Sequence, residues 1–163
     1  MKKVVILSNE IGIIYKFRFE LLKELVKSKE VFLLSPKTYK QEFFLEEITK
    51  LGVNFIEVKL NRRKFNIFQE IYILLQYYKK LKELNPDKVL TYTIKPNIYG
   101  GIICRFLKLK YIPTITGIGT AFQRENILKK IVIFLNRIAL KNAEKIFFQN
   151  KTNLNIYLKE KII

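Results

Sequence analysis

Residues 88–116 read KVLTYTIKPNIYGGIICRFLKLKYIPTIT, and they set the fold. Lys88 to Thr93 is a short β-branched and aromatic run, as a buried strand requires. Lys95-Pro96-Asn97 then breaks it, because proline cannot donate to a sheet ladder. Asn97 to Leu107 carries apolar residues at three- and four-residue spacing, the period of a helix. Tyr111 to Thr116 is a second β-branched run. Strand, helix and strand in this order are the unit of a parallel sheet.

The same alternation extends in both directions. Lys3 to Ser8, Glu30 to Ser35, Asn54 to Leu60 and Lys145 to Gln149 read as further strands, giving six. Arg18 to Ser28, Lys40 to Leu51, Asn66 to Leu84 and Asn126 to Asn142 read as helices, the last with Leu128, Ile131, Val132, Leu135, Ile138 and Ala139 on one stripe. Asn150 to Lys161 reads as a final helix capped by Asn150 or Thr152. Gly52 stands where the second helix stops, and Asn85-Pro86-Asp87 closes the third. Near-continuously apolar strands are buried on both faces. The expected fold is therefore α/β: a doubly wound, Rossmann-like, mainly parallel sheet of six or seven strands with helices on both faces, filling 1–163 as a single domain.

Composition narrows the chemistry. The 163 residues hold one cysteine, Cys104, and no histidine. That excludes an internal disulfide, Cys/His zinc sites and a histidine-based triad, and no metal or cofactor is expected. Cys104 lies on a helical stripe and reads as a small buried hydrophobe. Thirty-one Lys and Arg against 14 Asp and Glu give a formal charge of +17. Such a balance favours a polyanionic surface or ligand, although a Lys-rich, Gly-poor bias in the coding genome produces it too. Met1-Lys2-Lys3 leads directly into Val4 to Leu7, too short an apolar run for a signal peptide. No stretch approaches the roughly 20 apolar residues of a spanning helix. The expected location is cytoplasmic, with peripheral attachment to the inner face of the plasma membrane as an option.

In an open α/β sheet, ligands bind beyond the carboxyl ends of the strands, so the loops there are read for function. After the first strand, Gly12 permits close backbone approach and Arg18 supplies a guanidinium near a helix start, a pairing suited to phosphate. After the fourth comes the loop Thr93 to Gly101, and after the sixth Asn150 to Asn153. After the fifth, Gly117-Ile118-Gly119-Thr120-Ala121-Phe122 matches the first two glycines of a dinucleotide fingerprint, but Phe122 stands where Gly or Ala must pack, and no P-loop is present.

Three blocks carry a family resemblance: Thr91-Tyr92-Thr93-Ile94-Lys95-Pro96-Asn97-Ile98-Tyr99-Gly100-Gly101, Ile115 to Phe122, and Phe147-Phe148-Gln149-Asn150, supported by Phe17-Arg18 with Leu21, Leu22 and Leu25. Together they resemble the N-terminal domain of GT-B, family 4 glycosyltransferases that build bacterial polysaccharides and lipid-linked oligosaccharides, including those acting on undecaprenyl-diphosphate-linked sugars. The resemblance implies two facing Rossmann-like domains, the first binding acceptor and the second the nucleotide sugar. Only the first is expected here, the donor-binding domain being absent. It implies substrate contacts at Gly12, Arg18, Thr93, Lys95, Asn97, Thr116, Gly117, Gly119 and Thr120. It also implies a retaining hexosyl transfer in which the donor diphosphate helps deprotonate the acceptor, so nucleotide sugar would engage only with a donor-binding domain or partner chain. Some relatives hold a histidine at the end of the fifth strand where Thr116 stands, which leaves no side chain of this half assigned to catalysis. Alone, the chain is expected to bind a lipid-linked sugar acceptor and to be inactive. The sugar itself is not specified.

Arg62, Arg63, Lys64, Phe65 and Phe68 open a segment in which basic and aromatic residues alternate, followed by Ile71, Tyr72, Tyr77, Tyr78, Lys79 and Lys80. Such a helix suits an anionic membrane surface. The alternative is that Phe68, Ile71, Tyr72, Leu75 and Tyr78 form an ordinary buried stripe. Two other functional classes compete. A basic nucleic-acid-binding module fits the charge but lacks any recognised binding motif. A sugar-nucleotide oxidoreductase lacks its glycine fingerprint at the first strand.

Overall fold

The computed structural model describes residues 1–37, 41–60, 66–119 and 127–163. Strand β1 (Lys2–Leu7) leads into α1 (Ile11–Val26), β2 (Lys29–Ser35), α2 (Glu42–Lys50), β3 (Asn54–Glu57) and α3 (Ile67–Leu84). β4 (Lys88–Tyr92) follows, then a π-helical turn (Pro96–Gly100) that runs into α4 (Gly101–Phe106). β5 (Tyr111–Ile115), α5 (Ile127–Leu140), β6 (Phe147–Phe148) and α6 (Lys151–Lys159) complete the order.

Every strand pairing is parallel, and the sheet order is β3-β2-β1-β4-β5-β6. The chain winds outward from β1 in one direction, crosses back, and winds outward from β4 in the other. Right-handed crossovers then place α1 and α2 on one face and α3, α4 and α5 on the opposite face. Side-chain alternation follows suit. Ile6 and Leu33 pack with Ile14, Leu22 and Ile48 of α1 and α2. Val5, Leu34 and Val89 pack with Ile73, Tyr77, Leu81 and Ile103 of α3 and α4. The result is the expected doubly wound Rossmann-like sheet.

Two glycines fix how closely the helical layer approaches that sheet. A Cβ on Gly100 would stand 2.5 Å from Leu7 Cδ1, and one on Gly101 would stand 2.7 Å from the Ala139 carbonyl oxygen. The Gly100-Gly101 pair is therefore a packing requirement, bringing the π-helical turn onto β1 and α4 onto α5. Cys104 is fully buried beneath it, and burial pushes its thiol up to about 12.

Element boundaries agree with the sequence to within two residues except at β3, which ends at Glu57 rather than Leu60, and at α1, which starts at Ile11 rather than near Arg18. Its cap is non-local. Ile11 N–H donates to Gln41 Oε1 at 3.2 Å, and Gln41 Nε2 donates to Glu10 Oε1 at 2.9 Å, so the stop signal for the first loop lies about thirty residues away in the chain. Two local signals behave as read: Asn150 accepts from Asn153 N–H, and Gly52 ends α2 at φ +93°; Asn66 also caps α3, accepting from Phe68 N–H.

In α3 the buried-stripe alternative is overturned. The inward residues are Glu70, Ile73, Tyr77 and Leu81. Ile67, Phe68, Ile71, Tyr72 and Leu75 face solvent, Phe68 at 79 % exposure, while Tyr78 is half-buried. Arg62, Arg63, Lys64 and Phe65 lie outside the described residues. No helix among the described residues is long and apolar enough to cross a membrane.

Candidate functional site

The sheet order reverses between β1 and β4, and the turns leaving these strands on either side of that boundary open a crevice at their carboxyl ends. On the β1 side, Ser8 Oγ donates to the Glu10 carbonyl at 2.9 Å and accepts from Glu10 N–H at 3.2 Å, fixing a tight turn. Asn9 sits at its apex. Its Oδ1 is buried without a hydrogen-bond partner among the described residues, an arrangement that costs stability and leaves an acceptor for a ligand hydroxyl. Gly12 lies in the first turn of α1, where a Cβ would come within 3.2 Å of Phe44, so its contact is with α2. The Gln41 cap and the Glu10 carboxylate already occupy this helix start.

Positive charge enters the crevice from further along α1. The Arg18 guanidinium lies 5.1 Å from the centre of the Tyr92 ring, at the end of β4, in a cation–π contact. Burial raises the Tyr92 hydroxyl above its ordinary value, and the Arg18 charge pulls it back in part. Arg18 is half-buried, with one further hydrogen bond to the Phe17 carbonyl at 2.7 Å.

The turn after β4 is strained. Thr93 takes φ +72°, a left-handed conformation uncommon for a β-branched residue and costing on the order of 1–3 kcal/mol. Its carbonyl accepts from Asn97 N–H at 2.9 Å. Lys95 turns toward α3, where its Nζ meets Glu70 Oε1 at 2.5 Å. Tyr99 faces the same carboxylate; burial first, and the Glu70 contact second, raise its hydroxyl above its ordinary value. Asn97 is spent inside the sheet, accepting from Thr91 Oγ1 at 2.6 Å and donating to the Thr114 carbonyl at 2.9 Å. It ties β4 to β5 and supports the crevice from below.

Thr116, Gly117 and Gly119 form the third wall. Gly119 takes φ +72°, and a Cβ there would lie 2.1 Å from Ile94 Cδ1, so the turns after β4 and β5 interlock. No described residue comes within 4 Å of a Cβ built on Gly117. Thr120 lies outside the described residues.

Of the residues read from sequence, Arg18, Thr93, Thr116, Gly117 and Gly119 surround the strand ends, whereas Gly12 packs on Phe44 of α2 and Lys95 and Asn97 bond to neighbouring elements. Asn9, Tyr92 and Glu70 were not singled out. Glu70 falls outside the stripe suggested by the sequence, and only the packing of α3 puts it among Ile73, Tyr77 and Leu81 on the inward face.

A family model described as glycosyl transferase 4-like matches residues 3–150. The chain belongs to this family. An N,N'-diacetylbacillosaminyl-diphospho-undecaprenol alpha-1,3-N-acetylgalactosaminyltransferase from Campylobacter jejuni is 26% identical over 168 residues, covering 97% of this chain and 44% of that protein. The chain thus spans less than half the length of the curated relative it matches. Among solved structures, a glycosyltransferase from Rickettsia africae superposes with a TM-score of 0.70 at 19% identity, over 99% of this chain and 40% of that one. A UDP-GlcNAc 2-epimerase from Methanocaldococcus jannaschii superposes with a TM-score of 0.62 at 16% identity, over 100% and 43%. Both likenesses concern the fold.

Proposed function

We propose that this glycosyl transferase 4-like domain binds the acceptor for a sugar transfer, a lipid-linked or polysaccharide acceptor receiving a sugar from a nucleotide sugar. The observation that carries the reading is the Arg18 guanidinium held over Tyr92 beside the strand ends where β1 and β4 diverge. A diphosphate-linked sugar needs a cation for its phosphates and acceptors for its hydroxyls. Arg18 supplies the first and Asn9 Oδ1 the second. The Campylobacter relative's name, which includes a diphospho-undecaprenol-linked sugar, supports this substrate class.

Catalysis of such a transfer rests on positioning and on stabilising leaving-group charge. Near the crevice the described residues offer one guanidinium, a capped glutamate and a lysine paired with Glu70, a set suited to holding an acceptor. The donor half would come from a further domain or a partner chain, so the 163 residues alone bind without turnover. The acceptor is presented at a membrane surface, against which the outward apolar residues of α3 lie.

The test is titration of an undecaprenyl-diphosphate-linked sugar in detergent micelles, followed by NMR. Saturable shifts at Asn9, Arg18 and Thr93 are expected, with Arg18→Met weakening binding by about tenfold, as loss of one charge-assisted contact does. No saturable binding, or an unchanged affinity in Arg18→Met, would refute the acceptor reading. Turnover of a nucleotide sugar by the chain alone would refute the assignment of donor binding elsewhere.

A further inference from the structure

At the opposite end of the sheet lies a cleft of about 530 Å³ that the crevice chemistry does not use. Its floor is apolar, formed by Val4, Leu25, Leu90 and Leu109. Around it stand five lysines from separate segments: Lys2 of β1, Lys29 of β2, Lys88 of β4, and Lys108 and Lys110 from the turn between α4 and β5. The parallel sheet itself gathers them, because β1, β2 and β4 all begin at this end and register places Lys2 beside Lys29 and Val4 beside Lys88.

Two carboxylates stand here against the five lysines, Asp87 in the lining of the cleft and Glu144 beside Lys88. Asp87 Oδ2 accepts from the Lys3 backbone N–H at 2.7 Å, and Glu144 pairs with Lys88 at 2.8 Å. Lys29 donates to Ser28 Oγ, and Lys2, Lys108 and Lys110 make no ion pair among the described residues. Some helix lysines are paired locally, as in Lys23 with Glu20, Lys27 with Glu24 and Lys80 with Glu83. The hydrogen bond from Lys88, with the nearby charges of Lys110 and Lys145, holds the Glu144 carboxyl below its ordinary value, as a positive potential at this end requires. Like charges around one concavity repel unless an anion of more than one charge sits among them. A concave apolar floor with a few charged groups at its rim is the form of a small-molecule site.

We propose that this cleft is a second ligand site, for a small molecule carrying a di- or triphosphate, with the phosphates between Lys2, Lys29, Lys108 and Lys110 and any apolar or aromatic part on the Leu25–Leu90 floor. The site is independent of acceptor binding, since it lies at the amino ends of the strands. Nucleotides and inorganic oligophosphates share the required chemistry.

ADP and inorganic pyrophosphate are titrated into the isotope-labelled chain and followed by NMR. Saturable binding with shifts at Leu109 and Lys110 is expected, and Lys108→Gln/Lys110→Gln weakens it by about tenfold or more, as loss of two charge-assisted contacts does. Lys16→Gln/Lys151→Gln removes the same charge near the starts of α1 and α6, toward the carboxyl ends of the strands, and leaves the affinity within about twofold. Lys2→Gln/Lys29→Gln repeats the test from the other rim should the first double variant fail to fold. Tighter binding of ADP than of pyrophosphate engages the floor, and equal affinity makes the phosphates the whole ligand; both support the site. Absence of saturable binding, equal weakening by the control pair, or shifts confined to the crevice around Thr93 would overturn it.

Discussion

Lys95 Nζ lies 2.5 Å from Glu70 Oε1, joining the turn after β4 to the first turn of α3. Glu70 is 5% exposed at its side chain and Lys95 is 19% exposed. The crevice wall and the outward apolar helix are thereby one mechanical unit, since the residue that shapes one is held by the residue that anchors the other. Removing a single partner of a buried pair costs more than removing both, because the survivor keeps its charge without compensation.

Glu70→Ala is therefore expected to destabilise the domain by about 3 kcal/mol, and Glu70→Ala/Lys95→Met to recover a large part of that loss. Urea denaturation of the two single variants and the double variant measures the coupling. Additive losses would show that the pair is not coupled in solution.

Thr93 is held at φ +72° directly after β4, where glycine would be at ease. Thr93→Gly should relieve strain and raise stability by about 1 kcal/mol, after the entropy that glycine adds to the unfolded chain. If the strained turn serves acceptor binding, the same variant binds acceptor more weakly. A shift in the urea midpoint opposite in sign to the shift in acceptor affinity would establish that trade; a loss of stability would remove the strain argument.

The glycines after β5 separate by environment. Gly119→Ala forces both a left-handed backbone and a collision with Ile94, and is expected to cost about 1–3 kcal/mol. Gly117→Ala meets no described residue within 4 Å and should leave stability within about 0.5 kcal/mol. Thermal melts of the two variants decide, and equal losses would contradict the interlocking of the two turns.

How far the sequence reaches is visible in these same residues. Strands and helices followed from period and punctuation because burial on both faces makes the strands continuous apolar runs. Gly100 and Gly101 stood in a quoted motif, yet their role needed Leu7 and Ala139, which only the folded sheet brings near. Asn97 reads as a ligand contact by family resemblance, but its bonds to Thr91 and the Thr114 carbonyl cross between strands and no local pattern reports them. The start of α1 was missed for the same reason, its cap being Gln41. Arg18 was legible as a cation at the crevice, whereas its Tyr92 partner was not.

Buried tyrosines predict an alkaline limit. Tyr111 and Tyr157 are 1% and 2% exposed, and burial raises each hydroxyl from 10.0 to about 12. Tyr77 moves in the same direction for the same reason. The folded state keeps these protons longer than the unfolded chain, so their contribution is fully present below pH 10.0 and is lost as pH rises through about 12. The urea midpoint should fall steeply across that window, with tyrosinate absorbance appearing together with unfolding. Titration of all tyrosines at their ordinary value in the folded protein would contradict the burial.

The outward face of α3 makes the last prediction. Ile67, Phe68, Ile71, Tyr72 and Leu75 occupy one side of the helix and are between 47 % and 79 % exposed, a contiguous apolar surface on a chain of charge +17. Apolar insertion and attraction to anionic headgroups would act together, and only the second is screened by salt. The chain should sediment with vesicles containing anionic lipid and bind less, but measurably, at high salt. Burying one large apolar side chain stabilises by about 1.5–3 kcal/mol, so Phe68→Ser/Ile71→Ser should lower partitioning by at least about tenfold while the buried stripe of Ile73, Tyr77 and Leu81 keeps the helix folded. Binding that vanishes entirely in salt and ignores the double variant would make the attraction one of charge alone. Binding that survives salt and falls with Phe68 and Ile71 would place α3 in the lipid interface, with the Lys95–Glu70 pair linking that surface to the crevice.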